Sequence, residues 1–596
     1  MVQHIRRTQF VITYGPGAIL EGPRGSRIIP KPEIGLFTGS IRPEDFEITD
    51  ERMSRGLLGG RKIFRLPSNA ELGLPESSPI YRTKVFPEWW ICSDHWLLFR
   101  YCEGCPRCGE RRGRWDAIRF VMACRNGHLD DVNWHYAVHM RTGGRCRSGT
   151  EPRYYEWIPH GSSLKDITVR CPKCGAEANL GNLYRKRDWP CSGRFPEREP
   201  FNSPPLREPC DENAVMILRQ ATNLRIPEIV TFFTIPPRYT RLHLLLEIPA
   251  IKSMLTTLSA TGNLPATENE LRSFLQVLVN RRTVREDTVV RILSHPWEEI
   301  KRAIQDILTA RETSGYRNLL LEEFHALVDA SVNGAPPYRA PALTSPVVFE
   351  VPKSRIRRVR GPSGRTFRVV PITKLRTVIV QKGYRRIDVE GRVVDVSFTD
   401  MTTGEVWYPG AELLGEGIFV MLDDNDGYHP EVSGAAWRAW MRCHDNPSPQ
   451  YKDSLFRERG CRDELHPVFV WWHSLSHLLL RVLSVDSGYS SASIRERIYI
   501  EKTENGVRGG IVLYTVQPGE GTMGGLISLV EKFGDLLGRA LELAESCPND
   551  PLCQEHGFMC GNVTGSACYA CLFVSETSCE HRNMWLDRDI VLEDPP

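Results

Sequence analysis

The stretch GSACYACLFVSETSCEHRNMWLDRDI, residues Gly565–Ile590, places three cysteines close to the C-terminal end of the sequence. Two residues separate Cys568 from Cys571, and Cys579 follows. A redox pair of the thioredoxin type needs a strand before its first cysteine, whereas the preceding GNVTGSA is typical of a loop. A nucleophilic cysteine is disfavoured because no general base lies nearby in the sequence. The spacing therefore favours a structural zinc site in the last domain.

This zinc site requires a fourth ligand, because structural zinc is bound tetrahedrally by four nitrogen or sulfur atoms. Cys553 in NDPLC is the first choice, and Cys547 and Cys560 are also available. The sequence leaves the choice among these three open.

The composition is that of a globular protein, with 596 residues, 41% hydrophobic and 25% charged, enough for about four domains. The formal net charge of +3 indicates no overall attraction to nucleic acid, so any basic surface must be local. The absence of a long apolar run and of a signal peptide predicts a cytoplasmic protein without membrane contact. Because cytosolic thiols stay reduced, the 18 cysteines indicate metal binding or catalysis rather than disulfides.

Two CPxCG turns within residues 91–215 are typical of zinc knuckles. The first predicted site combines the pairs in CEGCPRCGE and ACRNGHLDD, with ligands Cys105, Cys108, Cys124 and His128. The second combines VRCPKCGAEANL with two later cysteines, with ligands Cys171, Cys174, Cys191 and Cys210. Cys146 is an alternative member of the second site, and the role of Cys102 stays open. With the C-terminal site, the sequence predicts about three structural Zn²⁺ ions.

The predicted fold class is α+β with several domains. A zinc-ribbon-like N-terminal region precedes a helical middle, a β-rich basic insert and a mixed α/β zinc-binding C-terminal domain. The expected divisions are an N-terminal arm or lobe, 1–90; the zinc-binding region, 91–215; a helical region, 216–345; a β-rich basic region, 346–440; and a helicase-associated zinc-binding domain, 441–596.

The sequence contains no G-x-x-x-x-G-K-[ST] loop, so we expect no ATP hydrolysis by the chain alone. The segment GGIVLYTVQPGEGTMGGLISLVEKF is instead typical of a strand, a glycine-rich loop and a helix running from about residue 525 to 545. Amide groups at the start of such a helix bind phosphate. Because the loop contains no lysine, we expect it to bind a phosphate of DNA rather than a nucleotide. The alternative is a turn that only docks the helix on the sheet. The predicted contacts are Gly521, Thr522, Gly524 and Gly525.

A concentrated basic stretch, KSRIRRVRGPSGRTFRVVPITKLRTVIVQKGYRR, runs from Lys353 to Arg386 without Asp or Glu. Its alternation with Val and Ile favours a folded strand surface that contacts DNA phosphates over a solvated charged loop. The predicted DNA-binding residues are Arg355, Arg357, Arg358, Arg360, Arg365, Arg368, Lys382, Arg385 and Arg386.

The motif HSLSH places His473 and His477 four residues apart on one face of an apolar helix. This spacing suits metal binding, but the glutamate of the metalloprotease pattern does not lie between them. Because a buried helix must satisfy its polar side chains, we expect core histidines held by hydrogen bonds.

These motifs together resemble a known family. The stretch quoted first, with WWHSLSHLLLRVLSVDSGYSSASIRERIYI and GIVLYTVQPGEGTMGGL before it, resembles the zinc-binding C-terminal domain of MrfA-type helicases. With RRTQFVITYGPGAIL and MACRNGHLDDVNWHYAVH near the N-terminus, the whole chain resembles the DrmB family of the DISARM anti-phage systems. The helical middle is less diagnostic.

The resemblance implies a subunit without ATPase activity that partners a separate DrmA-like helicase. It implies that the chain helps to form a DNA-binding channel for DNA that is single-stranded or carries an overhang, in a complex that restricts invading phage DNA. The zinc cysteines of the family correspond to Cys568, Cys571 and Cys579, whereas Cys560 is a local addition.

Two other functions stay open at this point. A zinc-dependent nuclease or hydrolase requires an open zinc with carboxylates nearby, and Asp130 and Asp131 after His128 are the candidates. Since carboxylates favour the first turn of a helix, we expect them to begin the helix in DDVNWHYAVHM instead. A protein-interaction scaffold that does not touch DNA is the third possibility.

Overall fold

A computed structural model of the chain describes residues 3–23, 25–36, 41–108, 113–140, 143–236, 241–309, 315–339, 346–446, 466–516, 524–555, 563–575 and 577–596. It contains helices, several β-sheets and clustered cysteines, so the predicted mixed α and β fold class is confirmed. Short 3-10 helices lie at Pro43–Phe46, Leu164–Asp166, Pro196–Arg198, Thr222–Leu224, Lys353–Arg355, Asp424–Gly427, Ser491–Ser493 and Ile527–Lys532.

The segment expected to form an N-terminal arm is joined to the largest sheet of the molecule. Its strand Lys62–Arg65 pairs in parallel with Val406–Leu422, so the division at residue 90 does not separate an independent lobe. A small antiparallel sheet holds Ile19–Gly22, Gly25–Ile28 and Lys84–Val85. The helices of this segment are Arg7–Ile12, Pro32–Gly35 and Glu51–Leu57.

The zinc-binding region is built from two antiparallel sheets of short strands. The six-stranded sheet has the order Glu177–Asn179, Ile167–Arg170, Tyr154–Pro159, Leu97–Arg100, Trp89–Cys92, Trp115–Ala117. The four-stranded sheet has the order Trp189–Pro190, Asn213–Leu218, Phe120–Ala123, Leu129–Asp131. The helices Trp134–His139 and Leu180–Arg185 pack on a buried cluster in which Trp134, Tyr155 and Trp157 lie.

The middle of the chain is helical, as the apolar spacing of three and four residues predicts. Five helices pack around a core of their own: Arg241–Leu246, Pro249–Ala260, Glu268–Asn280, Glu286–Leu293 and Trp297–Thr309. Thr267 begins one of them, because its hydroxyl accepts a hydrogen bond from the N–H of Glu270 at 3.3 Å. The next helix, Tyr316–Asn333, packs instead against the largest sheet.

The main sheet contains eleven strands of the described part of the chain. Its central path runs Ala335–Arg339, Val347–Val351, Thr366–Arg385, Val406–Leu422, Gly506–Thr515, Ile494–Thr503. Further strands pair with this path: Ile226–Phe233, Arg357–Arg360 and Val394–Asp395 with Thr366–Arg385, and Phe398–Thr399 and Lys62–Arg65 with Val406–Leu422. The β-rich basic region is therefore the centre of a shared sheet rather than a separate insert.

The C-terminal region surrounds one long helix, Pro467–Asp486, which we call the central helix. It is apolar on all sides, as expected of a helix buried in a core, and it packs on the main sheet and on Ala435–Asp445, Phe533–Glu545 and Arg588–Glu593. A short helix, Leu552–Glu555, follows Phe533–Glu545 along the chain. The central helix is the one helix of the described residues with the length and hydropathy of a membrane span, and 83% of that span is buried inside the protein.

Candidate metal centres and basic surface

Five groups of four side chains bring their ligand atoms within 4.8 Å of one another in the described residues. We call them tetrads 1 to 5, in the order in which they are introduced. Each ligand atom is a cysteine sulfur, a histidine nitrogen or, in one tetrad, a carboxylate oxygen. Four such donors at this spacing fit the tetrahedral coordination of a structural zinc ion.

Tetrad 1 consists of Cys92, His95, Cys105 and Cys108. The strand Trp89–Cys92 supplies the first ligand, and the CPRCG turn supplies the last two. The three sulfur atoms lie 3.4, 3.7 and 3.5 Å from Nδ1 of His95. Burial acts to raise the pKa of Cys108, but hydrogen bonds, chiefly from the indole N–H of Trp115, lower it to about 7, which favours the thiolate that binds zinc.

Tetrad 2 consists of Cys124, His128, Cys191 and Cys210. The hairpin between two strands of the four-stranded sheet holds the first two ligands, and Nδ1 of His128 lies 3.3 Å from the sulfur of Cys124 and 3.5 Å from that of Cys191. The hydrogen bond with Cys191 and the proximity of His128 lower the pKa of Cys124 to about 4, against the effect of burial. The sulfur of Cys191 also accepts the N–H of Gly193 at 3.4 Å.

Tetrad 3 consists of His139, Cys146, Cys171 and Cys174. Nε2 of His139 lies 3.3 Å from the sulfur of Cys174, while its Nδ1 lies 2.7 Å from the carbonyl oxygen of His135. A hydrogen bond from Nδ1 to a carbonyl leaves Nε2 as the metal-binding nitrogen, the usual arrangement at zinc sites.

The structure groups the N-terminal ligands differently from the sequence prediction. Cys105 and Cys108 are not with Cys124 and His128, and the second predicted site is divided between tetrads 2 and 3. The reason is strand pairing, which brings distant residues to the same sheet end. The members that the sequence interpretation missed are Cys92, His95 and His139, and the Cys92-x-x-His95 spacing in WWICSDH was a signal for the first two. Cys146 is a member, whereas Cys102 is exposed and lies outside the tetrads.

Tetrad 4 consists of Cys547, Cys553, Cys568 and Cys571, so two of the three open candidates for the fourth ligand are present. The sulfur–sulfur separations are 3.5 Å for Cys547 and Cys568, 3.8 Å for Cys553 and Cys571, and 3.7 Å within the CYAC pair. Burial acts to raise the pKa of Cys568, but backbone N–H groups lower it to about 6. Cys579 lies outside this tetrad, contrary to prediction, and Cys560 falls outside the described residues.

Tetrad 5 consists of His473, His477, Glu496 and Cys579. The two histidines lie on the central helix and are held by hydrogen bonds in the core, as expected. The sequence interpretation did not connect them with Glu496 or Cys579, because these two residues come from a strand and a loop elsewhere in the C-terminal region.

Four of the predicted DNA-binding arginines, toward the end of the basic stretch, are bound to partners within the protein. Arg365 binds Asp594, and Arg368 binds Asp423. The guanidinium of Arg386 is fully buried and donates to the carbonyl oxygens of three distant segments. Arg385 likewise pairs with Glu228 at 2.7 Å. Because these arginines are engaged within the protein, DNA binding by them stays a prediction.

The exposed part of the basic stretch is the hairpin that contains the strand Arg357–Arg360. We call Lys353, Arg355, Arg357, Arg358 and Arg360 the arginine ridge. Arg357 pairs with Glu531 at 2.7 Å, and Arg358, whose side chain is 73% exposed, pairs with Asp423 at 2.8 Å. Lys382, by contrast, lies half-buried near the other end of Thr366–Arg385.

The glycine-rich loop leads into a helical segment whose first backbone N–H groups already have an acceptor within the protein. The carboxylate of Glu416 accepts the N–H of Gly524 at 2.6 Å and the N–H of Leu526 at 2.7 Å. Glu416 is fully buried, so an internal carboxylate neutralises the amide groups expected to hold phosphate. The amide of Gly524 is therefore engaged within the protein, and the predicted phosphate contact at Gly524 and Gly525 stays a prediction. Gly521 and Thr522 lie outside the described residues. The α-helix itself begins only at Phe533, after a 3-10 segment.

The candidate carboxylates of a hydrolase are engaged in ion pairs and hydrogen bonds. Asp130 pairs with Arg194 and Arg207, each at 2.9 Å. Asp131 accepts backbone N–H groups at the start of a neighbouring strand. Both lie in a strand, and Asn133 begins the following helix, so the expectation that the two aspartates would do so is wrong.

Comparisons with known proteins match segments at both ends of the chain. A domain of unknown function, DUF8724, matches residues 6–226, and the MrfA Zn-binding domain matches residues 475–572. The DISARM protein DrmB of Bacillus paralicheniformis is 26% identical over 553 residues, which cover 85% of this chain and 88% of that protein. The resemblance to DrmB is confirmed.

Tetrad 4 lies entirely within the segment that matches the MrfA Zn-binding domain, which confirms the prediction of zinc. The crystal structure of the DUF1998 helicase MrfA bound to DNA is 14% identical, covering 36% of this chain and 21% of that chain. Its TM-score of 0.19 is too low to support an argument.

Proposed function

We propose that this chain is a DNA-binding subunit without ATPase activity that works with a separate DrmA-like helicase in a cytoplasmic anti-phage complex. The observation that carries this proposal is the similarity to the DISARM protein DrmB, which spans nearly the whole length of both chains. Similarity at both ends and in the middle favours the same role in the same kind of assembly. The ligands of the proposed structural zinc ions are the members of tetrads 1 to 4.

The arginine ridge is the part of the basic stretch that is available to DNA. Arg355, Arg358 and Arg360 are exposed, and Arg355 and Arg360 form no ion pair with a described carboxylate. Cations on a strand hairpin neutralise backbone phosphates and release counterions without reading bases. We therefore assign the ridge to positioning of a DNA strand, single-stranded or next to an overhang, along a channel shared with the helicase.

The alternative of a zinc hydrolase is less well supported. Catalytic zinc has three protein ligands and an open position for water, whereas each of the described tetrads offers four protein ligands. The carboxylates next to tetrad 2 are bound to arginines and backbone amides.

The test is a salt titration of single-stranded DNA affinity for the complex of this chain with its helicase. The triple variant Arg355→Ala, Arg358→Ala, Arg360→Ala should weaken binding equally across DNA sequences. It should also flatten the dependence of log affinity on log salt by about one unit for each lost phosphate contact.

The matched control is Arg272→Ala, Arg281→Ala, Arg291→Ala, which removes the same charge from exposed positions in the helical region. This control should bind DNA like the parent. Equal affinity and slope for the two triple variants would contradict the role of the ridge. Equal DNA binding by the helicase with and without this chain would favour the protein-interaction scaffold.

A further inference from the structure

Tetrad 5 is buried in the C-terminal core. His473, His477 and Glu496 have no exposed surface, and Cys579 is 5% exposed. The two histidines are one helical turn apart on the central helix, the glutamate comes from the neighbouring strand Ile494–Thr503, and the cysteine comes from a C-terminal loop. Four polar side chains in one apolar core must bind one another or other polar groups, because burying a polar group without a partner costs folding free energy.

The hydrogen bonds of the two imidazole rings fix which nitrogen carries the proton. Nδ1 of His473 lies 3.2 Å from the carbonyl oxygen of Trp585, and Nδ1 of His477 lies 2.9 Å from that of Leu572. A carbonyl oxygen only accepts, so Nδ1 of each ring is the donor. In the neutral ring Nε2 is then a bare acceptor.

Both of these acceptor nitrogens face the same acceptor oxygen. Nε2 of His473 lies 3.0 Å, and Nε2 of His477 3.1 Å, from Oε1 of Glu496. Lone pairs placed this closely repel one another unless a positive charge lies among them. The positive charge comes either from protons on these groups, which with both rings protonated places two cations beside one carboxylate in the core, or from a metal ion between the three atoms.

Cys579 supplies the fourth donor, and backbone amides hold its sulfur in place. Its sulfur lies 3.3 Å from Nε2 of His473 and accepts the backbone N–H groups of His581 and Asn583, both at 3.3 Å. Backbone N–H groups also donate to the sulfurs of tetrads 2 and 4. Two such donors stabilise a sulfur anion more than a neutral thiol.

The loop that carries Cys579 is held in an unusual conformation. Arg582, Asn583 and Trp585 all have left-handed backbone angles, with φ of 54°, 58° and 56°. Non-glycine residues adopt this conformation at a cost and keep it where the surroundings fix the geometry. A bound ion that anchors the loop to the central helix is one such constraint.

The outer atoms of the ligands are also held in place. The second oxygen of Glu496 accepts a hydrogen bond from the hydroxyl of Ser476. Each ligand therefore has a partner outside the group: a carbonyl for each histidine, a hydroxyl for the glutamate and two amides for the cysteine. Such outer contacts are typical of metal sites, where they orient the ligands.

We propose that tetrad 5 binds a divalent transition-metal ion, with zinc as the expected occupant. Two neutral imidazoles, a carboxylate and a thiolate carry two negative charges, so a divalent cation makes the buried unit neutral. Donors about 2.0 to 2.3 Å from a tetrahedral ion lie about 3.3 to 3.8 Å from one another, close to the separations observed here. The ion joins the central helix, the main sheet and the C-terminal loop, and four protein ligands leave no position for substrate.

This inference does not depend on the proposed function. His473 and Cys579 lie outside residues 475–572, so this centre is distinct from tetrad 4, which the matched domain contains whole.

The direct test is anomalous diffraction at the zinc edge from crystals of the unmodified full chain. We expect a peak between Nε2 of the two histidines and the sulfur of Cys579, in addition to the peaks at tetrads 1 to 4. Peaks at those four tetrads with none at tetrad 5 would overturn the proposal and favour two protonated histidines around Glu496.

The second test is metal content after exhaustive dialysis. Cys579→Ser should lose one zinc ion per chain relative to the parent. Cys443→Ser, which changes a buried cysteine of the same core outside the tetrads, should lose none. Equal zinc content in the parent and Cys579→Ser would contradict the proposal, and the diffraction test decides it even where this variant fails to fold.

Discussion

The zinc-binding region near the N-terminus and the C-terminal core both gather cysteines, but the metal ligands have different surroundings. Tetrads 1 to 3 lie at the ends of short strands, and several of their members are partly exposed. Tetrads 4 and 5 lie against the central helix, inside the largest buried apolar cluster of the described residues. Structural zinc contributes folding free energy directly. A large apolar core contributes folding free energy without metal, through the burial of apolar surface. The first region therefore depends on metal more than the second.

The largest expected effect is the loss of a ligand in the N-terminal region. Cys108→Ser removes a member of tetrad 1 and should unfold the six-stranded sheet locally, since a structural zinc ion contributes on the order of 10 kcal/mol in small domains. Cys571→Ser removes a member of tetrad 4, and it should lower the melting temperature while the apolar core keeps the central helix folded. The two variants are compared by thermal unfolding and limited proteolysis.

The matched control for this comparison is Cys102→Ser, an exposed cysteine outside the tetrads beside the same turn. It should melt like the parent. If Cys108→Ser also melts like the parent, Cys108 is not a ligand. Greater unfolding in Cys571→Ser than in Cys108→Ser would reverse the comparison.

A smaller effect is expected from acid at His429 in the C-terminal region, whose side chain is buried. Burial, opposed by the nearby carboxylate of Asp594, lowers the pKa of His429 to about 4. A histidine whose pKa is lower in the folded state stabilises the fold above pH 6.5, and this contribution is lost as the pH falls towards 4. The loss at pH 5 is about 2 kcal/mol.

The measurement is urea unfolding at pH 7.5 and pH 5. Because acid also releases zinc from its ligands, the comparison is between variants. His429→Gln should lose less stability on acidification than the parent, and His160→Gln, an exposed control, should lose the same amount as the parent. Identical pH dependence in His429→Gln and the parent would show that this histidine does not titrate as described.

Local features of the sequence were sufficient for the elements and for most of the metal ligands. The CPxCG turns identified Cys105, Cys108, Cys171 and Cys174, because the knuckle is formed by adjacent residues. The helical character of the middle region followed from apolar spacing. The basic stretch was also recognised as strand, and its long strand Thr366–Arg385 pairs with Val406–Leu422 with a shift in register between Ile372 and Leu375.

The grouping of the ligands could not be predicted, because it depends on which strands pair. Tetrad 5 shows this most clearly, since Cys579 follows the CYAC pair in sequence but joins residues of the central helix in space. Which arginines of the basic stretch have partners within the protein could not be predicted for the same reason. The partners of Arg365 and Arg385 are Asp594 and Glu228, which lie far away along the chain. Charge density alone does not distinguish an exposed arginine from one that stabilises a sheet.

The measurement that tests the central claim most directly is hydrogen exchange of the full chain before and after metal is removed with a chelator. Amides in the sheets between residues 84 and 218 should lose most of their protection, while those of the central helix, Pro467–Asp486, should remain protected by the apolar core. Protection that persists in both regions after complete metal removal, or that is lost first in the central helix, would contradict the account.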